Sequence, residues 1–313
     1  MCNKRLSIII PFYNVEQYIA QCLESVYEQD IPEEEYEVIC VDDCSPDNSL
    51  AIVERYAQVH SNLVIVRNKI NRKLGGARNA GMEVATGNYI WFIDSDDFVK
   101  KDCFAKLLSI AEREDLDVLH FNYSNYPNDI IPHRRPKDLA IMSGVDMFFH
   151  EDFIWCHDLV TAWRKLYKRQ FLIKNKIQFV EHIMFEDNDY AIEVFANARK
   201  TKHISDVVYR YRDNQESITR VKYTSQHISY WLDLAKRLVR LHNKFKEEQK
   251  DVRFFPLIEN FIKYTIGNLL NEYNKLQNVE KKESHKIIRK SINSDLKSYM
   301  SIIKYYKIKL GLL

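Results

Sequence analysis

The sequence predicts an α/β protein in which a mostly parallel sheet is flanked by helices and followed by a helical extension. Three observations carry this expectation. Short apolar runs alternate with helical periodicity through the first hundred residues, which is the pattern of a sheet covered on both faces. Two of those runs stop on clustered carboxylates, Asp42-Asp43 and Asp94-Ser95-Asp96-Asp97. Beyond Val221 the strand signal gives way to amphipathic stretches rich in Lys and aromatic residues.

Taken in order, Leu6-Ser7-Ile8-Ile9-Ile10 predicts a short strand ended by Pro11. The spacing of Val15, Ile19, Cys22, Leu23 and Val26 predicts a helix from Val15 to about Tyr27. A second strand, Tyr36 to Val41, ends on Asp42-Asp43, and the turn formers Cys44 to Ser49 lead into a helix reaching Val59. In that turn Asp47 and Ser49 read as caps. Leu63 to Val66 is a third strand. Gly75-Gly76 opens a helix over Ala77 to Ala85, closed by Thr86-Gly87-Asn88. The aromatic and β-branched run from Tyr89 to Ile93 reads as a strand buried on both faces.

Further on, the sequence predicts a helix from Asp102 to Arg113 and a strand from Val118 to Tyr123. The Pro-containing stretch from Asn125 to about Pro136 is long for a connection and reads as a lid or binding loop. Helices are expected near Arg169 to Asn175 and after Phe185-Glu186-Asp187, with a strand over Val207 to Arg212. The division falls into an α/β domain, 1–220, whose two halves meet at about residue 100. A helical region, 221–313, follows, with helices over His227 to Phe245, Phe254 to Leu276 and Ile287 to Ile303. These helices read as a bundle. The alternative is peripheral contact with anionic membrane lipid.

Composition narrows the function classes. With 313 residues, 46% hydrophobic and 29% charged, the chain can bury a sizeable core. Its net charge of +2 argues against general nucleic-acid binding. The six cysteines, Cys2, Cys22, Cys40, Cys44, Cys103 and Cys156, lack metal-ligand spacing and read as reduced, Cys40 as a buried thiol. That points to a cytoplasmic compartment, as does an N-terminus that reaches its first strand without room for a signal peptide. No apolar run approaches the roughly 20 residues of a membrane span.

The carboxylates carry the chemistry. Asp94, Asp96 and Asp97 fall within four residues, and such neighbours repel one another. A strand-to-helix turn accounts for one capping Asp, whereas a hard divalent cation, Mg²⁺ or Mn²⁺, accounts for the group. Both acidic strand ends lie on one edge of a parallel sheet, where open α/β sheets bind ligands. A metal-bound nucleotide diphosphate suits that crevice, with Asp96 on the cation and Asp43 accepting from a base N–H. Arg78 and Asn79 would add contacts to base or phosphate. Each of these residues also has a plain turn or helix-surface reading.

The motifs Ser7 to Asn14, Ser25 to Gln29, Val41 to Ser49, Gly75-Gly76-Ala77-Arg78-Asn79-Ala80-Gly81 and Phe92 to Asp97 occur in order. Together they resemble the successive motifs of the family 2 glycosyltransferases. The match is strong over residues 4 to about 100. It continues more loosely through Trp163 to Tyr167, Phe185-Glu186-Asp187 and Tyr211-Arg212 to Ser217-Ile218. The resemblance implies the GT-A fold, an inverting transfer from a nucleotide-sugar donor, with UDP the expected nucleotide, and usually Mg²⁺ or Mn²⁺. It implies donor contacts at Pro11, Tyr13, Glu16, Asp43, Arg78, Asn79, Asp94 and Ser95, with Asp96 as metal ligand. It places the general base at Glu186-Asp187, leaving open which of the two acts, and acceptor-side roles at Trp163, Lys165, Tyr211 and Arg212. Read without the family, Glu186-Asp187 is better taken as an acidic helix N-terminus. Cys44 departs from the pattern, where Gly is common. The processive Gln-x-x-Arg-Trp motif is absent, which implies transfer of a single sugar to a glycan or lipid-linked acceptor in cell-surface polysaccharide assembly, at the inner face of the membrane. Two other readings compete: a haloacid-dehalogenase-like phosphotransfer enzyme, whose aspartates belong on the first strand rather than the fourth, and a non-catalytic nucleotide-sugar or glycan binding module.

Overall fold

The computed structural model describes residues 4–130, 137–153, 158–213 and 224–292. The chain divides into two compact units, Met1–Asn214 and Gln215–Leu313. The first is built on an eight-stranded mixed sheet of order β3-β2-β1-β4-β7-β6-β8-β5. Its strands are β1 (Leu6–Phe12), β2 (Tyr36–Asp42), β3 (Leu63–Arg67), β4 (Tyr89–Phe92), β5 (Phe98–Val99), β6 (Val118–Tyr126), β7 (Lys165–Lys168) and β8 (Thr201–Arg212). The β3-β2-β1-β4 half is parallel. The antiparallel strand β7 joins it to β6, which pairs parallel with β8.

The continuous apolar runs follow from burial on both faces of the sheet. Along β1, Ile8 and Ile10 enter one core with Val38, Trp91, Phe104 and Phe121, while Ile9 enters the other with Ile39, Phe92 and Tyr167. Helices α1 (Ile19–Tyr27), α2 (Ser49–Val59), α3 (Lys73–Val84) and α4 (Phe104–Arg113) follow β1, β2, β3 and β5. Shorter helices α5 (Gly144–Phe148) and α6 (Arg169–Lys174) precede α7 (Glu186–Asn197). The second unit holds α8 (Ser225–Glu247), α9 (Phe254–Lys275) and α10 (Asn278–Ile292).

Several boundaries differ from expectation. Pro11 does not end β1, which pairs on through Phe12 with β2; at the end of its own strand a Pro costs little. Helix α1 starts at Ile19 rather than Val15, after a turn in which the Val15 carbonyl accepts from Tyr18 N at 2.9 Å and Ile19 N at 3.1 Å; Val15 N donates to Ser49 Oγ at 3.0 Å and Glu16 N to Asp47 Oδ2 at 2.8 Å. Asp47 also accepts from Ser49 N at 3.1 Å, so it serves both loops, whereas Ser49 holds a neighbouring loop rather than capping its own helix. Gly75 and Gly76 lie inside α3, not before it. A Cβ at Gly75 would fall 2.5 Å from the Val180 carbonyl oxygen, so the glycine serves close approach rather than helix initiation. The last helix begins at Asn278, before the expected Ile287, and residues 293–303 of the expected helix lie outside the described residues. So do residues 131–136 of the expected lid and Ser217-Ile218.

Among the described residues no helix is long and apolar enough to cross a membrane, and Cys22, Cys40, Cys44 and Cys103 are free thiols, Cys40 fully buried.

Candidate active site

Strands β2 and β4 flank β1 in parallel, so their carboxyl ends open on the same edge. The two acidic strand ends therefore meet, as expected of this topology. At the β2 end, Asp43 is buried, and its Oδ1 accepts from Asn68 Nδ2 and from Arg72 N, both at 2.8 Å. Pro11 is buried at the end of β1, and Tyr13 is half-exposed beside it. Glu16 has a structural engagement that sequence reasoning missed: its Oε2 accepts from both Asn48 N and Asn48 Nδ2 at 2.9 Å, clasping the β1–α1 and β2–α2 loops together.

At the β4 end the three aspartates separate into different roles. Asp97 is buried, accepting from Tyr209 Oη at 2.8 Å and from Arg212 N at 2.7 Å. Burial, then the charges of Asp96 and Asp94, push its carboxyl well above the ordinary range. It is a structural anchor joining the turn to β8, and β8 lies too far along the chain for sequence spacing to have revealed the link. Ser95 is buried, and Asp96 remains half-buried. Arg212 Nε donates to the Asp96 carbonyl at 2.7 Å, and its guanidinium also binds Gln21. Arg212 thus holds the aspartate turn.

Arg78 is the centre of the arrangement. It lies on α3 with its side chain 1% exposed. Its Nη2 donates to Asp94 Oδ1 at 2.9 Å, and its Nη1 donates to Glu186 Oε1 at 3.0 Å and to Asp187 Oδ1 at 2.5 Å. One guanidinium thus gathers three carboxylates from two distant parts of the chain. Asn79 likewise faces inward, holding Phe179 through both backbone groups. Neither role was legible before α7 was placed against α3.

Glu186 and Asp187 form the first turn of α7, where negative charge is favourable. Burial, and then its Asp187 neighbour, raise the Glu186 carboxyl to about 7. Asp94 is raised too, by burial first, against the lowering effect of Arg78. The sign of the linkage follows: a carboxyl raised in the folded state holds its proton there while the unfolded chain has lost it, so its contribution to stability falls as pH rises through that window. Glu186→Gln should therefore gain stability relative to the parent between about pH 4.5 and about pH 7. Urea unfolding of both proteins across that range measures it; a stability difference, variant minus parent, that stays constant or falls as pH rises contradicts the assignment.

The expected acceptor-side residues are mostly interior. Trp163 is buried, stacked on Tyr209 at 4.4 Å and on half-buried Tyr211 at 5.7 Å. Lys165 is buried as well, donating to the Thr161 carbonyl, and burial holds its ammonium well below the ordinary value. Trp163 packs on β8 through Tyr209 and Tyr211, and the Ala162 N–H beside it donates to Asp187 Oδ2 at 3.3 Å.

Among the described residues no cluster of three or more His, Cys, Asp or Glu side chains forms a ready metal cage. A Mg²⁺-type ion takes one or two carboxylates and shares phosphate oxygens, and Asp94 and half-buried Asp96 are the hard oxygen donors at this strand end that could hold one.

The family model for glycosyl transferase family 2 matches residues 7–185. The chain belongs to that family. An uncharacterized glycosyltransferase EpsJ of Bacillus subtilis is 33% identical over 227 residues, covering 70% of this chain and 64% of that protein. The poly(ribitol-phosphate) beta-N-acetylglucosaminyltransferase TarS of Staphylococcus aureus is 30% identical over 223 residues, covering 68% of this chain and 36% of TarS. This chain therefore spans less than two thirds of each of these relatives. Residues 1–349 of TarS, solved in complex with UDP-GlcNAc, superpose with a TM-score of 0.68 at 22% identity, covering 93% of this chain and 81% of that one. The architecture is the GT-A fold of this family 2 member, and the phosphotransfer alternative falls with that assignment.

Proposed function

We propose that this family 2 glycosyltransferase moves a single sugar, with inversion, from a UDP-sugar to a hydroxyl of a glycan or lipid-linked acceptor in surface polysaccharide assembly. One observation carries the reading: Arg78 draws Asp94, at the end of β4, together with Glu186 and Asp187, more than ninety residues later, onto one guanidinium. A donor-side carboxylate and an acceptor-side carboxylate then border one crevice. The UDP part rests on the TarS complex with UDP-GlcNAc.

In this reading Asp43 accepts from the nucleotide base. Asp187 removes the proton of the acceptor hydroxyl as that oxygen bonds to the anomeric carbon from the face opposite the diphosphate. The bond from the anomeric carbon to the diphosphate breaks, and the diphosphate leaves with the electron pair. Asp187 is the better placed of the acidic pair because its side chain keeps 20% exposure against 9% for Glu186. Mg²⁺ or Mn²⁺, held by Asp96 with Asp94 nearby, would supply positive charge to the departing diphosphate. Arg78 keeps the carboxylates aimed without touching substrate.

Asp96→Ala tests the donor half. Transfer should be lost, and UDP titrated with Mn²⁺ should bind at least about tenfold more weakly. Undiminished turnover in this variant, or in EDTA, sinks the metal assignment.

A further inference from the structure

The segment from Phe179 to Phe185, which delivers Glu186 and Asp187, is fastened to the nucleotide end of the site by contacts that the mechanism above does not use. Arg72, the residue before α3, makes them with three of its groups. Its N–H donates to Asp43 Oδ1 at 2.8 Å. Its carbonyl accepts from His182 N at 2.9 Å. Its guanidinium takes both oxygens of Glu181, Nε to Oε2 at 3.0 Å and Nη2 to Oε1 at 2.5 Å. Asn79 Nδ2 adds a hydrogen bond to Glu181 Oε1 at 3.0 Å.

Such a fork is directional as well as attractive. With side chains 24% and 29% exposed, the pair is too solvated to count chiefly as stabilisation. Its value lies in what it joins. Gly75 lets the segment lie directly on α3, since a Cβ there would come within 3.2 Å of Glu186 Cγ as well as meeting Val180. The chain then passes through left-handed backbone at two residues that are not glycine, His182 at φ 61° and Phe185 at φ 64°. Such conformations persist only where surrounding contacts hold them, and Arg72 and Glu181 supply contacts on one side of both.

We propose that Arg72 and Glu181 are positioning residues that couple nucleotide binding at Asp43 to the order of the segment bearing the acceptor-side carboxylates. A base N–H bonded to Asp43 restrains its carboxylate and hence the Arg72 backbone. The restraint passes through Arg72 to Glu181 and His182, and so to Glu186. Ordering by one ligand of what a second must find ordered is a coupling that needs no large displacement. This inference rests on the nucleotide reading of Asp43 given above.

Hydrogen exchange of the full chain, with and without UDP and Mn²⁺, tests it in the parent, in Arg72→Met and in Glu181→Gln. In the parent, UDP should slow exchange over residues 38–48 and over 179–190, each by roughly fivefold or more. In both variants the protection over 38–48 should persist, while that over 179–190 should fall to within about twofold of the ligand-free protein. Glu181→Gln keeps the side-chain shape, so it decides the matter if Arg72→Met loosens the fold. A merely structural role would raise exchange over 179–190 with or without UDP, leaving the UDP-dependent difference intact. Equal UDP-dependent protection in both variants overturns the proposal. So does a parent protected over 38–48 alone. If UDP protects neither stretch, the nucleotide reading itself has failed, and the coupling fails with it.

Discussion

Arg78→Met should cost about 3–5 kcal/mol of stability, the range for removing one partner of a buried charge cluster. The guanidinium is the only cation bonded to Asp94, Glu186 and Asp187 together among the described residues. Without it, three carboxylates face one another in a site that is already partly desolvated. Arg78→Lys should restore only part of the loss, because one ammonium cannot reproduce the planar fork. Adding Glu186→Gln to Arg78→Met should recover stability, since it removes one of the stranded charges. Urea unfolding of the four proteins measures this. Should Arg78→Met unfold like the parent, the cluster is held by something other than this residue.

Asp187→Asn should lower kcat by roughly 10²–10⁴-fold, the usual worth of a general base, while leaving UDP affinity nearly unchanged. The amide keeps the shape and the Ala162 contact but cannot take the proton. Glu186 competes for the role on one ground: a carboxyl raised to about 7 is well matched to proton transfer near neutral pH. Geometry weighs against it, because a base must first reach the hydroxyl, and Glu186 is the more buried of the two. Turnover and UDP titration of Asp187→Asn and Glu186→Gln separate the roles. A dead Glu186→Gln beside a normal Asp187→Asn swaps them. If both turn over normally, the base lies elsewhere.

Much of this protein was legible in the chain because its signals are local. Apolar runs buried on both faces mark β1, β2 and β4 wherever they pair. The carboxylates that end two of those strands mark a ligand edge, because parallel strands put their carboxyl ends together. The ordered motifs placed the chain in its family before any contact was known. What the sequence by itself could not determine is which polar residues face substrate and which face one another. Arg78 and Asn79 read as donor contacts, and Trp163, Lys165 and Arg212 as acceptor-side residues by resemblance; each of them also makes contacts within the protein. Asp97 read only as part of a group of three carboxylates, and it is an anchor for β8. For Arg78, Asn79, Arg212 and Asp97 these outcomes depend on partners a hundred residues away or more. No local period or spacing encodes such pairs; only the packing of α7 and β8 against the parallel half decides which charges are neutralised inside and which remain for the donor and acceptor.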